Sequence, residues 1–198
     1  MLTPTISLPC LSAAAFAIAS LAAFAGCGSE STGPAQPPPP DLSTPEGVIV
    51  ALKDYYSRRQ SAPAIGLLAP DYRFIPALPE KIPFLEPPET QWDRGIEVDI
   101  LTELLVAERT TWIDQVLLEV TKRTRIDRGD EVEIEADVQL SLLVGVDQFE
   151  KARSTITMLF RRKTDGDFEL VEEVEVLSDA PDILLTVGEQ KARVLVPE

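Results

Sequence analysis

The strongest constraint on the fold is a run of alternating apolar residues from Glu131 to Val146. Apolar side chains occupy every second position, and mostly polar side chains lie between them: Val132, Ile134, Ala136, Val138, Leu140, Leu142, Val144 and Val146. Successive side chains of a strand point to opposite faces, so this pattern gives one buried face and one wet face. The run therefore predicts a long strand of an antiparallel sheet.

Three further segments share this period of two and predict three more strands: Thr110 to Arg125, Arg153 to Lys163 and Asp167 to Leu177. Turn-forming sequences separate the four segments, at residues 127–130, 145–149 and 164–166. Short polar connections rich in Gly and Asp favour hairpins. The second half of the domain is therefore predicted to be a meander of four long strands.

Helices are predicted before the strands. Thr44 can cap a helix that has Pro45 at its first position and runs to about Arg59. A short second helix is predicted at residues 64–69, and five prolines make residues 76–88 a loop or edge segment. Thr90 and Asp93 resemble a capping box for a helix over about residues 91–107. The predicted fold is α+β, with N-terminal helices packed on one face of a curved antiparallel sheet.

Several sequence landmarks resemble a known superfamily. The segments PEGVIVALKDYYSRRQ, IGLLAPDYRFI and QWDRGIEVDILTELL, followed by four long strands, resemble the NTF2-like (SnoaL-like, cystatin-like) superfamily, particularly its bacterial lipoprotein members. The resemblance covers about Pro45 to Leu177. It implies a cone-shaped α+β barrel with an internal cavity, used in relatives for isomerase or dehydratase chemistry, for small-ligand binding or for dimerisation.

Two acidic residues occupy apolar positions of predicted strands. Glu172 lies between Leu170 and Val174, and Asp114 lies between Trp112 and Val116. If both point inward, the cavity holds two carboxylates that could move a proton, with Tyr55, or alternatively Tyr56 or Tyr72, donating to an oxyanion. The competing interpretations are a bulge that reverses the alternation or exposure to solvent, and a purely structural buried hydrogen bond.

Aromatic and basic residues suggest a binding site for a small apolar ligand. The candidates are Trp92, Arg94, Tyr72 and Trp112. Arg94 would contact a ligand carboxylate or an acid of its own helix, and Trp92 would contact the ligand or cap the core. The acid pairs Asp165/Asp167 and Asp179/Asp182 lack the spacing of an EF-hand, so no metal and no cofactor is predicted.

The N-terminus resembles a bacterial lipoprotein signal peptide. Residues 11–26 are apolar and uncharged, too short for a typical membrane span, and end in Phe24-Ala25-Gly26 before Cys27. The resemblance implies cleavage after residue 26 and a lipid anchor on Cys27. Gly28 stands where an Asp would retain the protein in the inner membrane, so the expected location is the outer membrane, facing the periplasm. A plain secretory signal and an uncleaved anchor are the alternatives.

The chain divides into four predicted parts. Residues 1–26 are the signal peptide, residues 27–44 a lipidated cysteine with a proline-rich tether, and residues 45–178 the α+β domain. Residues 179–198 form a tail whose apolar triplets, 183–185 and 194–196, suggest a short hairpin around Gly188.

Composition excludes several functions. A formal net charge of −15 disfavours nucleic acid as a partner, because phosphate binding needs clustered Lys and Arg. The chain has no His, which excludes a Ser-His-Asp triad, a Cys-His dyad and a His-ligated zinc site. The predicted function is a lipid-anchored, non-enzymatic module for small-ligand binding or assembly. The alternatives are an isomerase or dehydratase and a scaffold that dimerises through apolar residues of the outer sheet face, Ile113, Leu117, Leu143 and Leu159.

Overall fold

The computed structural model of the chain describes residues 38–145, 148–178 and 185–196. The predicted signal peptide, Cys27, most of the tether and the pair Asp179/Asp182 lie outside these ranges. The elements are, in order, α1 (Pro45–Ser57), α2 (Ser61–Ile65), β1 (Leu68–Ile75), a 3₁₀ turn (Pro79–Lys81), β2 (Trp92–Asp93), α3 (Arg94–Leu105), β3 (Ile113–Arg128), β4 (Glu131–Val144), β5 (Gln148–Arg162), β6 (Phe168–Leu177) and α4 (Val187–Arg193). Within these ranges no helix is both long and apolar enough to cross a membrane.

The predicted α+β architecture is confirmed. The six strands form one sheet in the order β2-β1-β6-β5-β4-β3. Strands β3 to β6 form the predicted antiparallel meander, while β1 pairs with β6 in parallel. The inner face of the sheet and the helices α1 and α3 bury one apolar core, which includes Val48, Leu52, Ile100, Leu104, Val132, Ile134, Leu140, Ile156 and Phe160.

The first and third helices begin at side-chain caps. The Thr44 hydroxyl accepts a hydrogen bond from the Gly47 amide at 3.1 Å, as the sequence predicts for α1. The cap of α3 differs from the prediction, because Asp93 itself accepts from the Ile96 amide at 3.1 Å. A carboxylate at this position satisfies a free amide of the first turn and also interacts favourably with the helix dipole.

The predicted second helix at residues 64–69 is displaced. The helix covers Ser61–Ile65, and the chain is already extended in β1 from Leu68. Pro70 lies in the interval between Leu68 and Arg73 where the pairing of β1 with β6 shifts register. Proline cannot donate to a strand ladder, which fits its position at this interruption.

Arg59 connects three elements through its guanidinium group. Its Nη1 donates to the Ile113 carbonyl at 2.5 Å, and its Nη2 donates to the Thr110 hydroxyl at 2.6 Å and the Leu104 carbonyl at 3.3 Å. These contacts satisfy backbone and side-chain acceptors at the end of α3 and the start of β3. Arg59 therefore ties the C-terminal end of α1 to the connection that leads into the meander.

The predicted terminal hairpin is wrong, because the described tail forms the helix α4. Thr186 and Glu189 form a reciprocal capping box, in which the Thr186 hydroxyl accepts from the Glu189 amide and the Glu189 carboxylate accepts from the Thr186 amide. This cap favours a helix over a strand. Before α4, the Leu185 carbonyl accepts from the Arg153 amide at 3.3 Å and covers the edge of β5 beyond the end of β6.

Candidate functional site

A bulge at Asp114 reverses the alternation of β3. Ile113 pairs with Val144 and Gln115 pairs with Leu143, so Asp114 is the extra residue. Ile113 and Val116 are both buried as a result, while Trp112 and Asp114 are exposed. The interpretation of Asp114 as a bulge exposed to solvent is therefore confirmed, and the alternative in which it points into the cone is wrong. The prediction that Ile113 is exposed on the outer face is also wrong.

A second bulge reverses β6 in the same way. Leu159 pairs with Glu172 and Phe160 pairs with Leu170, which leaves Val171 as the extra residue. Glu172 consequently lies on the outer face, where it pairs with Arg73. The bulge interpretation is thus confirmed for β6 as well, and the alternative in which Glu172 points inward is wrong. The residue that continues the inward face is Glu173, whose neighbour across the parallel pair is the buried Phe74.

The interior holds an ion cluster formed by Glu97, Glu173 and Lys191. The Lys191 ammonium lies 2.8 Å from Glu97 Oε1 and 3.3 Å from Glu173 Oε2. The Lys191 side chain is only 4% exposed. Burial by itself would lower the pKa of Lys191, but the charges of Glu173 and Glu97 outweigh it and raise that pKa well above the usual 10.5. The cluster therefore has a fixed ammonium and two acidic partners inside the core.

Two aromatic donors hold the carboxylates in place. The Trp92 indole Nε1 donates to Glu97 Oε2 at 2.8 Å, and the Tyr72 hydroxyl donates to Glu173 Oε2 at 2.5 Å. Burial, together with the Glu173 charge, raises the pKa of Tyr72 well above 10, so its hydroxyl keeps the proton that it donates. Phe74 stacks on Trp92 with ring centroids 4.2 Å apart, and the Lys191 ammonium lies 4.5 Å from the Phe74 ring. This geometry adds a cation–π contact to the ion cluster.

The space beside this cluster is small. A cavity of about 30 Å³ lies between α1, α3, the inner face of the sheet and Lys191, and Tyr56 and Met158 are among its lining residues. A site of roughly 10–15 Å³ holds one water molecule, whereas pockets for small molecules measure roughly 300–1,000 Å³. The cone is thus almost filled by side chains, and α4 provides part of the filling.

Glu175 fixes α4 to the sheet. Its carboxylate accepts hydrogen bonds from the Ser154 hydroxyl at 2.5 Å, the Gly188 amide at 2.9 Å and the Ala77 amide at 3.1 Å. The Ser154 hydroxyl in turn accepts from the Val187 amide at 3.0 Å. A Cβ atom on Gly188 would lie 2.7 Å from Glu175 and 3.2 Å from Phe74, so this contact requires glycine. The first turn of α4 is therefore held by buried hydrogen bonds.

The residues that the sequence suggested for a catalytic or ligand-binding site do not all lie together in the structure. Trp92 and Tyr72 are buried and belong to the ion cluster, whereas Tyr55 is half-buried against the core and Trp112 lies on the surface. Arg94 is half-buried, and its buried Nε has no hydrogen-bond partner among the described residues. Within the same ranges, no group of three or more acidic or cysteine side chains is arranged to hold a metal ion.

Sequence reasoning did not identify the ion cluster, and it gave no role to Glu173 or Lys191. Glu97 lies in the buried stripe of α3, at helical spacing from Leu101 and Leu104. Lys191 likewise lies at helical spacing from the buried Val187 and Val194 of the tail. An acid and a base within two apolar stripes were signals of a buried ion pair, but the tail was interpreted as strands.

The fold resembles those of several solved structures. No protein-family profile and no curated protein sequence matches the chain. A conserved protein from Planctomyces limnophilus aligns with a TM-score of 0.52 at 9% identity, covering 66% of this chain and 91% of its own. A protein from Novosphingobium aromaticivorans, described as a candidate aromatic ring hydroxylase, aligns with a TM-score of 0.52 at 9% identity, covering 68% and 87%.

A third structure carries the superfamily name. A protein from Streptomyces avermitilis, described as a candidate dehydratase of the NTF2-like family, aligns with a TM-score of 0.50 at 13% identity, covering 71% of this chain and 97% of its own. Identities this low establish the fold and nothing about activity. The described part of this chain adopts the NTF2-like cone fold.

Proposed function

We propose that this protein is a lipid-anchored, non-enzymatic assembly module of the bacterial cell envelope, and that it self-associates through the outer face of its sheet. The observation that carries the proposal is the filled cone. Lys191 of α4 pairs with the two interior carboxylates, and a cavity of only about 30 Å³ lies beside it. Because the interior of the described residues leaves no room for a substrate, we place the activity on the surface of the domain.

The filled cone also weighs against the other predicted functions. A small apolar ligand of the expected size does not fit into about 30 Å³. The isomerase or dehydratase alternative depended on Asp114 and Glu172, and both lie outside the cone. Fold similarity to proteins described as a hydroxylase and a dehydratase does not replace those residues.

The outer face offers apolar side chains at one end of the meander. Leu143 pairs with Phe149 on the neighbouring strand and with Gln115 on the other side, and Leu117 lies diagonally across from it. Leu117 and Leu143 are half-buried, and Phe149 is 49% exposed. We name Leu117, Leu143 and Phe149 the outer patch. An apolar patch of this kind favours association with a matching surface.

The charges along the outer face of the sheet permit contact between two copies. The whole chain carries −15, which would repel a second copy if it were spread evenly. The sheet face instead alternates cations with anions: Arg123 pairs with Asp137, and Arg161 pairs with Asp71 and Glu169. A face with both signs can meet its own copy with opposite charges opposed, as a two-fold symmetric dimer requires.

A substitution within the outer patch tests self-association. We expect the mature chain to be dimeric in mild detergent, and Phe149→Asp to weaken the dimer by about tenfold or more, because a charge would be buried at the contact. Light scattering after size-exclusion chromatography over a range of concentrations measures the effect. The matched control is Val50→Asp, since Val50 lies on α1 and is 61% exposed.

The control separates a local effect from general repulsion. Val50→Asp adds the same charge away from the outer patch and should leave the dimer intact. A wild-type chain that stays monomeric at every concentration would remove the proposal of self-association. Equal weakening by both substitutions would assign the effect to net charge.

The lipid anchor is tested separately at Cys27. We expect Cys27→Ser to move the protein from the membrane fraction to the soluble periplasmic fraction, because two or three acyl chains hold a protein at a membrane and their loss releases it. Immunoblotting of fractionated cells measures the shift, and Cys10→Ser is the matched control because Cys10 lies within the predicted signal peptide. Membrane retention of the Cys27→Ser protein, together with a wild-type protein that migrates at its unprocessed length, would indicate an uncleaved anchor.

A further inference from the structure

The position of the Lys191 ammonium between Glu97, Glu173 and Phe74, which we call the seat, has the features of a binding site for an organic cation. Two carboxylates, Glu97 and Glu173, contact it at 2.8 Å and 3.3 Å, and the Phe74 ring faces it at 4.5 Å. A primary ammonium group provides three N–H donors, and an aromatic face stabilises an adjacent cation. Lys191 is thus held in the way that a protein holds an alkylammonium ligand.

The acceptors of this seat are positioned without help from α4. Glu97 is oriented by Trp92 of β2, and Glu173 is oriented by Tyr72 of β1. Phe74 is held by stacking on Trp92. Because all these groups belong to α3, β1, β2 and β6, we expect the seat to keep its geometry when the Lys191 side chain is absent from it.

The shape beside the seat suits an alkyl chain. The cavity of about 30 Å³ next to the ammonium is lined mainly by apolar side chains, including Leu52, Leu101, Met158 and Val187. A hydrated metal ion would meet this apolar wall, and the indole and phenol donors already occupy two carboxylate oxygens. The carboxylates would bind the ammonium group of an alkylammonium ligand, and the apolar wall would contact its short alkyl chain.

The helix that delivers Lys191 is short. It has seven residues, and isolated helices of that length are unstable in water, so α4 depends on its contacts with α3, β4 and β5. A ligand that binds the same seat competes with those contacts by mass action.

We propose that Glu97, Glu173 and Phe74 form a primary-ammonium site, that Lys191 occupies it in cis, and that an alkylammonium ligand occupies it when α4 undocks. In the structure, Lys191 of the C-terminal helix thus occupies the site that the ligand would otherwise fill. This site lies inside the cone and is independent of self-association through the outer patch.

The site can be tested by truncating the Lys191 side chain and supplying the lost atoms as a small molecule. Lys191→Ala removes Cγ, Cδ, Cε and Nζ, and n-propylammonium supplies the same atoms. We expect n-propylammonium to raise the melting temperature of the Lys191→Ala chain in a saturable manner, while 1-propanol and tetramethylammonium at equal concentration and ionic strength do not. The melting temperature of the Lys151→Ala chain, which loses an exposed lysine and keeps Lys191, should not rise.

The receptor is tested by removing an acceptor. In the Lys191→Ala chain, the further change Glu97→Gln should abolish most of the stabilisation by n-propylammonium, because the nearest carboxylate charge is lost. Rescue by 1-propanol equal to that by n-propylammonium would overturn the proposal, since it would mean simple filling of a void. An absence of rescue by n-propylammonium would overturn it as well.

A measurement on the wild-type chain applies even if Lys191→Ala does not fold. We expect n-propylammonium to accelerate amide hydrogen exchange in α4, Val187–Arg193, because the ligand competes with Lys191 and favours the undocked helix. Exchange in β4 should remain unchanged. Exchange in α4 that is insensitive to n-propylammonium, or equally sensitive to tetramethylammonium, would contradict the proposed site.

Discussion

Lys191→Met is expected to lower the free energy of unfolding by about 3–5 kcal/mol at neutral pH. The substitution keeps the approximate volume of the side chain and removes its charge. Glu97 and Glu173 then remain inside the core without a cation, and an unpaired buried charge is among the costliest defects in a protein. Equilibrium urea unfolding followed by far-ultraviolet circular dichroism measures the loss.

Two further variants identify the cause of that loss. If the unpaired carboxylates are responsible, the triple variant Lys191→Met, Glu97→Gln and Glu173→Gln should recover a large part of the stability. Lys163→Met is the matched surface control, because Lys163 pairs with Asp165 at a solvent-accessible hairpin, and we expect it to change stability by less than about 0.5 kcal/mol. A Lys191→Met chain as stable as the Lys163→Met chain would contradict a buried ionic role for Lys191.

The pH dependence of the difference between wild type and Lys191→Met follows from the pKa of Lys191. That pKa is raised in the folded chain above the usual 10.5. A group with a raised folded-state pKa stabilises the fold fully below its unfolded value and loses this effect as pH rises through the folded value. The advantage of wild type should therefore persist from neutral pH to about 10.5 and decline only in stronger alkali.

The sequence predicts the elements of this domain because their signals are local. The alternation in β4 and the cap at Thr44 each depend on neighbouring residues, and both elements form as expected. The inward faces of β3 and β6 were not predictable in this way. A single extra residue, Asp114 in β3 or Val171 in β6, reverses the alternation at that point, and β3 shifts register again between Lys122 and Thr124. The acids at apolar positions indicated that the alternation breaks, but they did not indicate which side chains then point inward.

The ion cluster was hidden for a different reason. Lys191 and Glu97 are 94 positions apart, so no local pattern connects them. They meet because α4 packs against α3 and the strands β4 and β5. The sequence signal for α4 was the capping box of Thr186 and Glu189. Because the apolar triplets of the tail were interpreted as strands, α4 was not predicted. Lys191, the only lysine inside the described core, was therefore not recognised as a buried residue.

Trp92 is the second position with a large expected effect. Its ring stacks on Phe74, meets the edge of Phe84 with centroids 5.6 Å apart, and donates through Nε1 to Glu97. Trp92→Ala should lower the free energy of unfolding by about 3–5 kcal/mol, because it removes a fully buried aromatic side chain and leaves a cavity. Urea unfolding measures this loss.

Trp92→Phe separates the hydrogen bond from the packing. Phenylalanine retains much of the stacking on Phe74 but lacks the indole donor, so Glu97 loses the bond from β2 and the expected cost is about 1–3 kcal/mol. Trp112→Phe is the matched control, since Trp112 is 41% exposed and its replacement should change stability by less than about 0.5 kcal/mol. Equal costs for the two Trp→Phe variants would contradict a role for the Trp92 indole in holding Glu97. A Trp92→Phe chain that is also more sensitive to Lys191→Met than wild type would show that the indole and the ammonium stabilise the same carboxylate.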